Sequence, residues 1–223
     1  MGIIGVVAAL TIPNLNQSTG DREKVAKIKK IHANLEDAFG RATAIYGPMD
    51  EWPSQFIQRG GGGYYAPEGS KFIAERLIDF MKVSKNCGKD IMPCFKDTKT
   101  LDLSGNPEVI SSNYSFILAD GTSVGIGYVG TGVHELYIDI DGPNKGSNTF
   151  GKDIFYYLAV PESDHSFKPY GYGFNSNQIS SCLKSDNCHL WWVLQTGNMD
   201  YLKATKGTCP NGTQLSWENT SCK

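Results

Sequence analysis

The chain lacks an apolar run long enough to cross a bilayer, a Cys-x-x-Cys pair, and an excess of charge of either sign. Each absence removes a class of reading. A spanning helix needs ~20 apolar residues, and the uncharged opening from Gly2 to Ile12 supplies about half of that. A net charge of −2 gives no general electrostatic footprint for nucleic acid, so none is expected as a partner. The four histidines, His32, His134, His165 and His189, are scattered, and none stands at the spacing of a zinc ribbon or finger. No His-Glu-x-x-His helix and no P-loop occur, so no catalytic residue is assigned and the chain is not expected to be an enzyme.

What is present is an apolar start, a charged helical pattern, a glycine-rich middle and six cysteines. After Pro13, the polar stretch Asn14–Gly20 is expected to bend. From Asp21 to Tyr46 the pattern is helical: Val25, Ile28, Leu35, Ala38, Phe39, Ala42 and Ile45 recur at three- and four-residue steps, with Ile31 on the edge. Gly47-Pro48 stops it, at ~39 Å of helix. Asp50–Ser70 reads as a loop. Its Gly60–Gly63 run has no Gly-Lys-Ser/Thr ending and is not a phosphate cradle. Ser70–Val83 reads as a second short amphipathic helix with Phe72, Ile73, Leu77, Phe80 and Met81 on its apolar side.

Strand patterning is expected from about 113 to 160. Asn113–Ala119 and Thr122–Tyr128 flank an Asp120-Gly121 turn, which marks a hairpin. Val133–Ile140 alternates as a third strand, and Asp153–Ala159 reads as a fourth. In the tail, Leu190–Leu194 and Asn198–Leu202 lean to short helix. An antiparallel sheet laid on the apolar face of the long helix makes an α+β layer, with a disulfide-rich C-terminal lobe. The cysteines, Cys87, Cys94, Cys182, Cys188, Cys209 and Cys222, are even in number and grouped along the sequence. That grouping favours disulfides formed outside the cytoplasm. Six cysteines allow about fifteen pairings, among which the sequence does not choose. Nearest-neighbour pairing, Cys87–Cys94, Cys182–Cys188 and Cys209–Cys222, is the working expectation. Each would contribute ~2–3 kcal/mol in the chain-entropy account.

The opening Gly2-Ile-Ile-Gly-Val-Val-Ala-Ala-Leu-Thr-Ile-Pro-Asn14 resembles the second half of the N-terminal helix of type IV pilin-like proteins, a family that includes the pseudopilins of type II secretion. In that family a basic leader ends in glycine, an aromatic residue opens the mature chain, and a glutamate follows within the apolar run. Those features have no counterpart here, and Met1 reads as a late start or a truncation. The resemblance implies three segments. Residues 1–13 are the remnant of an apolar membrane and filament-core helix, carried by Ile3, Ile4, Val6, Val7, Leu10, Ile12 and Pro13. Residues 14–47 are its amphipathic continuation, and 48–223 the globular head. Pro13 would locally interrupt the helix ladder.

The resemblance also implies a structural subunit without catalysis, held in the bacterial inner membrane with its head outside the cytoplasm, or assembled in an extracellular filament. Its partners would be other pilin-like subunits, a prepilin peptidase with its methylation motif, and an inner-membrane assembly platform. Arg22, Lys24, Lys27, Lys29 and Lys30 follow the apolar stretch, and a basic leader on its other flank would reconcile them with the positive-inside rule.

Asp139-Ile-Asp-Gly-Pro-Asn-Lys-Gly-Ser-Asn-Thr-Phe-Gly-Lys-Asp153 resembles the Asp-rich loop of pilin-like proteins, some of which bind calcium there. No cofactor is required on this reading. Asp139, Asp141, Asn144, Asn148 and Asp153 are the candidate oxygen ligands for calcium, against a loop that merely bonds its own backbone. The alternative function is a secreted or membrane-anchored, disulfide-stabilised binding module, in which calcium and a patch of Trp191, Trp192, Trp217 and tyrosines serve recognition.

Overall fold

The computed structural model describes residues 3–49, 66–96, 99–130, 133–159, 167–184 and 188–222, with the side chains of the first helix described from Thr19 onward. That helix, α1, spans Ile3–Tyr46. It runs through Pro13 and Asn14–Gly20, where a bend was expected. Asn, Gln, Ser and Thr cost a helix only up to ~0.7 kcal/mol each and glycine ~1, so the stretch disfavours helix without forbidding it. Among the described residues, no helix is long and apolar enough to cross a membrane.

The sheet-facing stripe of α1 is Val25, Ile28, Ile31, Leu35, Ala38, Phe39 and Ala42, all buried. Burying each of its large side chains contributes ~1.5–3 kcal/mol. Ile45 belongs to the same sequence pattern yet is 65% exposed. It lies in the last turn, and Gly47 then takes a left-handed conformation (φ 81°) that ends the helix.

The second helix, α2 (Ala66–Ile78), starts and ends earlier than its apolar pattern suggests. Pro67 suits a first turn because the missing N–H has no helical partner there, and Glu68 favours the positive end. Ile73 and Leu77 are fully buried. Phe80 and Met81 fall in the following turn, and Val83 opens a strand.

Among the described residues, six strands form one antiparallel sheet in the order β1-β4-β5-β6-β7-β8. They are β1 (Val83–Gly88), β4 (Tyr114–Leu118), β5 (Ser123–Gly130), β6 (Val133–Asp139), β7 (Ile154–Ala159) and β8 (Phe167–Pro169). A small hairpin, β2 (Lys99–Leu101) with β3 (Pro107–Val109), makes a second, two-stranded sheet. The sheet therefore reaches back to Val83, well before Asn113, because β1 pairs with β4 (Val83 opposite Leu118).

Alternation divides the sheet faces. Phe116, Leu118, Val124, Ile126, Leu136, Ile138, Phe155 and Tyr157 join the α1 and α2 side chains in the main core. Cys94, Phe95, Ile110, Tyr137, Phe150 and Ile154 form a smaller cluster. On β5, a Cβ at Gly127 would overlap the Ser111 carbonyl, so glycine is what lets the 111–112 segment cross the strand closely.

The C-terminal lobe holds α3 (Ser176–Lys184), α4 (His189–Thr196) and a 3-10 turn at Asp200–Lys203. Asn175 and Gln178 cap α3 reciprocally: the Asn175 N–H donates to Gln178 Oε1 (3.0 Å) and the Gln178 N–H to Asn175 Oδ1 (3.1 Å). The disulfides join Cys87 to Cys94, Cys182 to Cys188 and Cys209 to Cys222, with Cα separations of 6.1, 5.8 and 5.3 Å.

Candidate functional site

The residues singled out by the sequence fall on α1 and on the loop between β6 and β7. The side chains of Ile3, Ile4, Val6, Val7, Leu10, Ile12 and Pro13 lie outside the described set, as does the glycine-rich stretch 60–63. The charged half of α1 is tied to two turns at one end of the sheet. Lys24 Nζ lies 3.6 Å from Asp141 and donates to the Lys152 carbonyl at 3.1 Å. Lys30 pairs with Asp120 of the β4–β5 turn at 3.5 Å. Further along, His32 Nδ1 is 3.0 Å from the Tyr157 hydroxyl, and the two rings stack. Burial holds the imidazole below its ordinary range, against the pull of Glu36.

The loop is organised by Asp153. Its buried carboxylate accepts the backbone N–H groups of Ser147, Asn148 and Thr149 and the Ser147 hydroxyl. Asp139 and Ile154 face each other across β6 and β7, so the loop leaves and re-enters neighbouring strands. The Leu101 N–H donates to the Asn148 carbonyl (3.1 Å), and the Tyr201 hydroxyl donates to the Gly151 carbonyl (2.7 Å). The β2–β3 hairpin and the tail thus fix the loop from two sides.

Asp139 is 1% exposed. Its Oδ1 accepts the N–H groups of Asp141 (3.1 Å) and Gly142 (3.0 Å), and its Oδ2 has no hydrogen-bond partner. Burial pushes the carboxyl up to about 7 against those two N–H bonds, with Asp153 and Asp141 adding repulsion. At Gly146 (φ 75°) a Cβ would overlap the Asp153 carboxylate and sit 3.1 Å from Asp141 Oδ2, so two carboxylates close on this glycine. Asn144 is exposed at the loop surface, and Asn148 is half-buried. Among the described residues, no three His, Cys, Asp or Glu side chains converge as a metal-holding group.

Sequence reasoning missed one spelling. Gly121-Thr-Ser123-Val-Gly125 fits Gly-x-Ser-x-Gly, the pattern of a nucleophile elbow. Its surroundings differ from that elbow, which needs a strand, a sharp turn and a helix. Here Gly121 (φ 86°) turns a β-hairpin, and Ser123 starts β5 fully buried opposite Asp139. Of the tryptophans, Trp192 is fully buried and stacks on Trp217, while Trp191 is half-buried beside the exposed Tyr172.

No protein-family profile, curated protein or solved structure matches the chain.

Proposed function

We propose that the chain is a structural subunit of a type IV pilus-like or type II secretion pseudopilus filament, held in the bacterial inner membrane before assembly, with its head outside the cytoplasm and no catalytic role. One observation carries the reading. The apolar opening of the sequence lies on the same helix, Ile3–Tyr46, whose later turns supply the buried stripe from Val25 to Ala42 under an antiparallel sheet. Three disulfides support a head that folds in an oxidising compartment. Prepilin peptidase, an assembly platform and sister subunits are the partners this reading requires.

The test is filament recovery. Sheared surface filaments or membrane-extracted short filaments from the native cell should contain this chain, and deletion of the prepilin peptidase should remove it from them. A chain that stays monomeric and unaffected by that deletion would support the disulfide-stabilised binding module instead.

We propose, second, that the β6–β7 loop takes calcium, a reading that rests on Asp139 alone. Its Oδ2 is buried without a hydrogen-bond partner, and Asp141 and Asp153 stand near enough to raise its proton affinity. Without a cation, the sign is fixed. The folded-state affinity for a proton exceeds the ordinary one, so the stability linked to Asp139 is fully present below pH ~4 and is lost as pH rises towards 7. The loss has an upper bound of about 4 kcal/mol. Asp139→Asn should flatten this fall in thermal unfolding scans. Calcium would favour the ionised form, so millimolar calcium should restore the wild-type midpoint at pH 7 and leave Asp139→Asn unchanged. No calcium response in the midpoint or in calorimetric titration would leave the loop as a self-bonded turn.

A further inference from the structure

We propose that the C-terminal lobe carries a binding groove for a neutral saccharide, formed between the 170–174 segment and α3. The groove is shallow and open to solvent, has a volume of about 400 Å³, and is lined by Tyr170, Phe174, Asn177, Gln178, Ser181 and Cys182. Its size falls within the ~300–1,000 Å³ of small-molecule sites.

The local sequence Tyr170-Gly-Tyr-Gly-Phe174 alternates aromatic and glycine. Gly171 (φ 91°) and Gly173 (φ 77°) are both left-handed, a conformation that strains other residues. Tyr170 and Phe174 meet edge to face, with centroids 5.8 Å apart, and line the groove. Tyr172 packs instead on Trp191, at 4.9 Å, with Lys168 Nζ 4.8 Å from its ring centroid. The segment is held in place: the Trp217 indole N–H donates to the Phe174 carbonyl at 2.7 Å, and the Cys182–Cys188 disulfide anchors the adjoining end of α3.

The chemistry of the lining selects the ligand class. Among the described residues, no lining side chain carries a formal charge. A nucleotide would stack on the rings but needs cations for its phosphates, and an acidic or basic peptide would meet no counter-charge. Tyr170 and Phe174 supply the apolar part of the lining, which suits the C–H side of a pyranose. Asn177, Gln178 and Ser181 together offer both donors and acceptors, which matches hydroxyls that do both. The Gln178 carboxamide is oriented, because its Oε1 accepts the Asn175 N–H at the α3 cap. Asn177 and Ser181 are exposed. The groove does not depend on filament assembly, so its test stands apart from that of the subunit.

The experiment titrates the full chain, in a detergent without a sugar headgroup, with maltohexaose, cellohexaose and the hexamer of N-acetylglucosamine. Tryptophan fluorescence and saturation-transfer NMR report binding. At least one probe is expected to bind saturably, with transfer to its ring protons. Tyr170→Ala with Phe174→Ala should weaken binding about tenfold or more. Because those rings also pack, Asn177→Ala with Ser181→Ala serves as a second variant: it should weaken binding with an unchanged circular dichroism spectrum. No saturable signal from any probe, or unchanged affinity in both variants, would overturn the proposal.

Discussion

Trp192→Ala should lower the stability of the folded chain by about 4 kcal/mol and its unfolding midpoint by roughly 8–16 °C. Trp192 is 0% exposed and stacks on Trp217, with centroids 5.5 Å apart and planes at 14°. Removing the indole opens a large cavity, and surrounding atoms collapse into such spaces only in part. It also strips a partner from a small polar hub. The Trp192 N–H donates to Asn198 Oδ1 at 3.2 Å. That same oxygen accepts the Asp200 N–H (2.9 Å), and Asn198 Nδ2 donates to the Thr220 carbonyl (2.9 Å). Asn198, which the tryptophan orients, thus adds to the Cys209–Cys222 disulfide and to the Cys222 N–H bond to Asp200 Oδ2 in fastening the tail. Trp192→Phe keeps most of the ring volume and loses the N–H, so it should cost considerably less. Equal losses for the two variants in thermal or denaturant unfolding would mean that the hydrogen bond, not the packed ring, holds the lobe.

Asp153→Ala should cost about 3 kcal/mol, a midpoint drop of roughly 6–12 °C. One carboxylate serves three consecutive backbone N–H groups and a hydroxyl, as an anion does at a helix start. Water can replace part of this, because Ser147 is exposed and Asn148 and Thr149 are half-buried. The buried carboxylate site itself cannot be rewetted so easily. Asp153→Asn keeps the shape and one acceptor oxygen, and should lose about half as much. Hydrogen exchange should localise the effect to Ser147–Thr149 and to the Leu101 N–H that bonds the Asn148 carbonyl. Fast exchange confined to those amides, with an unchanged global midpoint, would show that the loop is energetically separate from the sheet.

The elements that the sequence makes legible are those whose periodicity is sustained. The α1 stripe from Val25 to Ala42 repeats over several turns, and the Asp120-Gly121 turn sits between two alternating runs that become β4 and β5. Where the pattern is short or polar, it fails. The Ser84-Lys-Asn86 core of β1 is almost wholly exposed at a sheet edge, so nothing in it alternates. The β2–β3 hairpin has three residues per strand, and β8 has three. For α3, the signal was present in the Asn175 and Gln178 cap spacing, but its polar run Ser176–Ser181 hides the buried Ile179.

At the candidate loop, the aspartates were legible as a group, whereas their division of labour was not. Only the fold shows that Asp153 caps the loop, Asp141 faces Lys24 and Asp139 is buried with one oxygen unused. Ile45 shows the opposite failure: it keeps the apolar spacing of α1 but lies in the terminal turn, exposed.

On the proposed reading α1 belongs to a processed, filament-forming subunit, and the N-terminus of the native protein is where that reading is checked. Intact-mass and N-terminal fragment analysis of the chain from the membrane fraction of its own cell should find roughly ten further residues ahead of Gly2, enough to complete an apolar helix of ~20 residues. They should begin with a methylated aromatic residue and include an acid close behind it. A native chain that begins at Met1, unmethylated, would contradict the filament reading and leave the disulfide-stabilised binding module in its place.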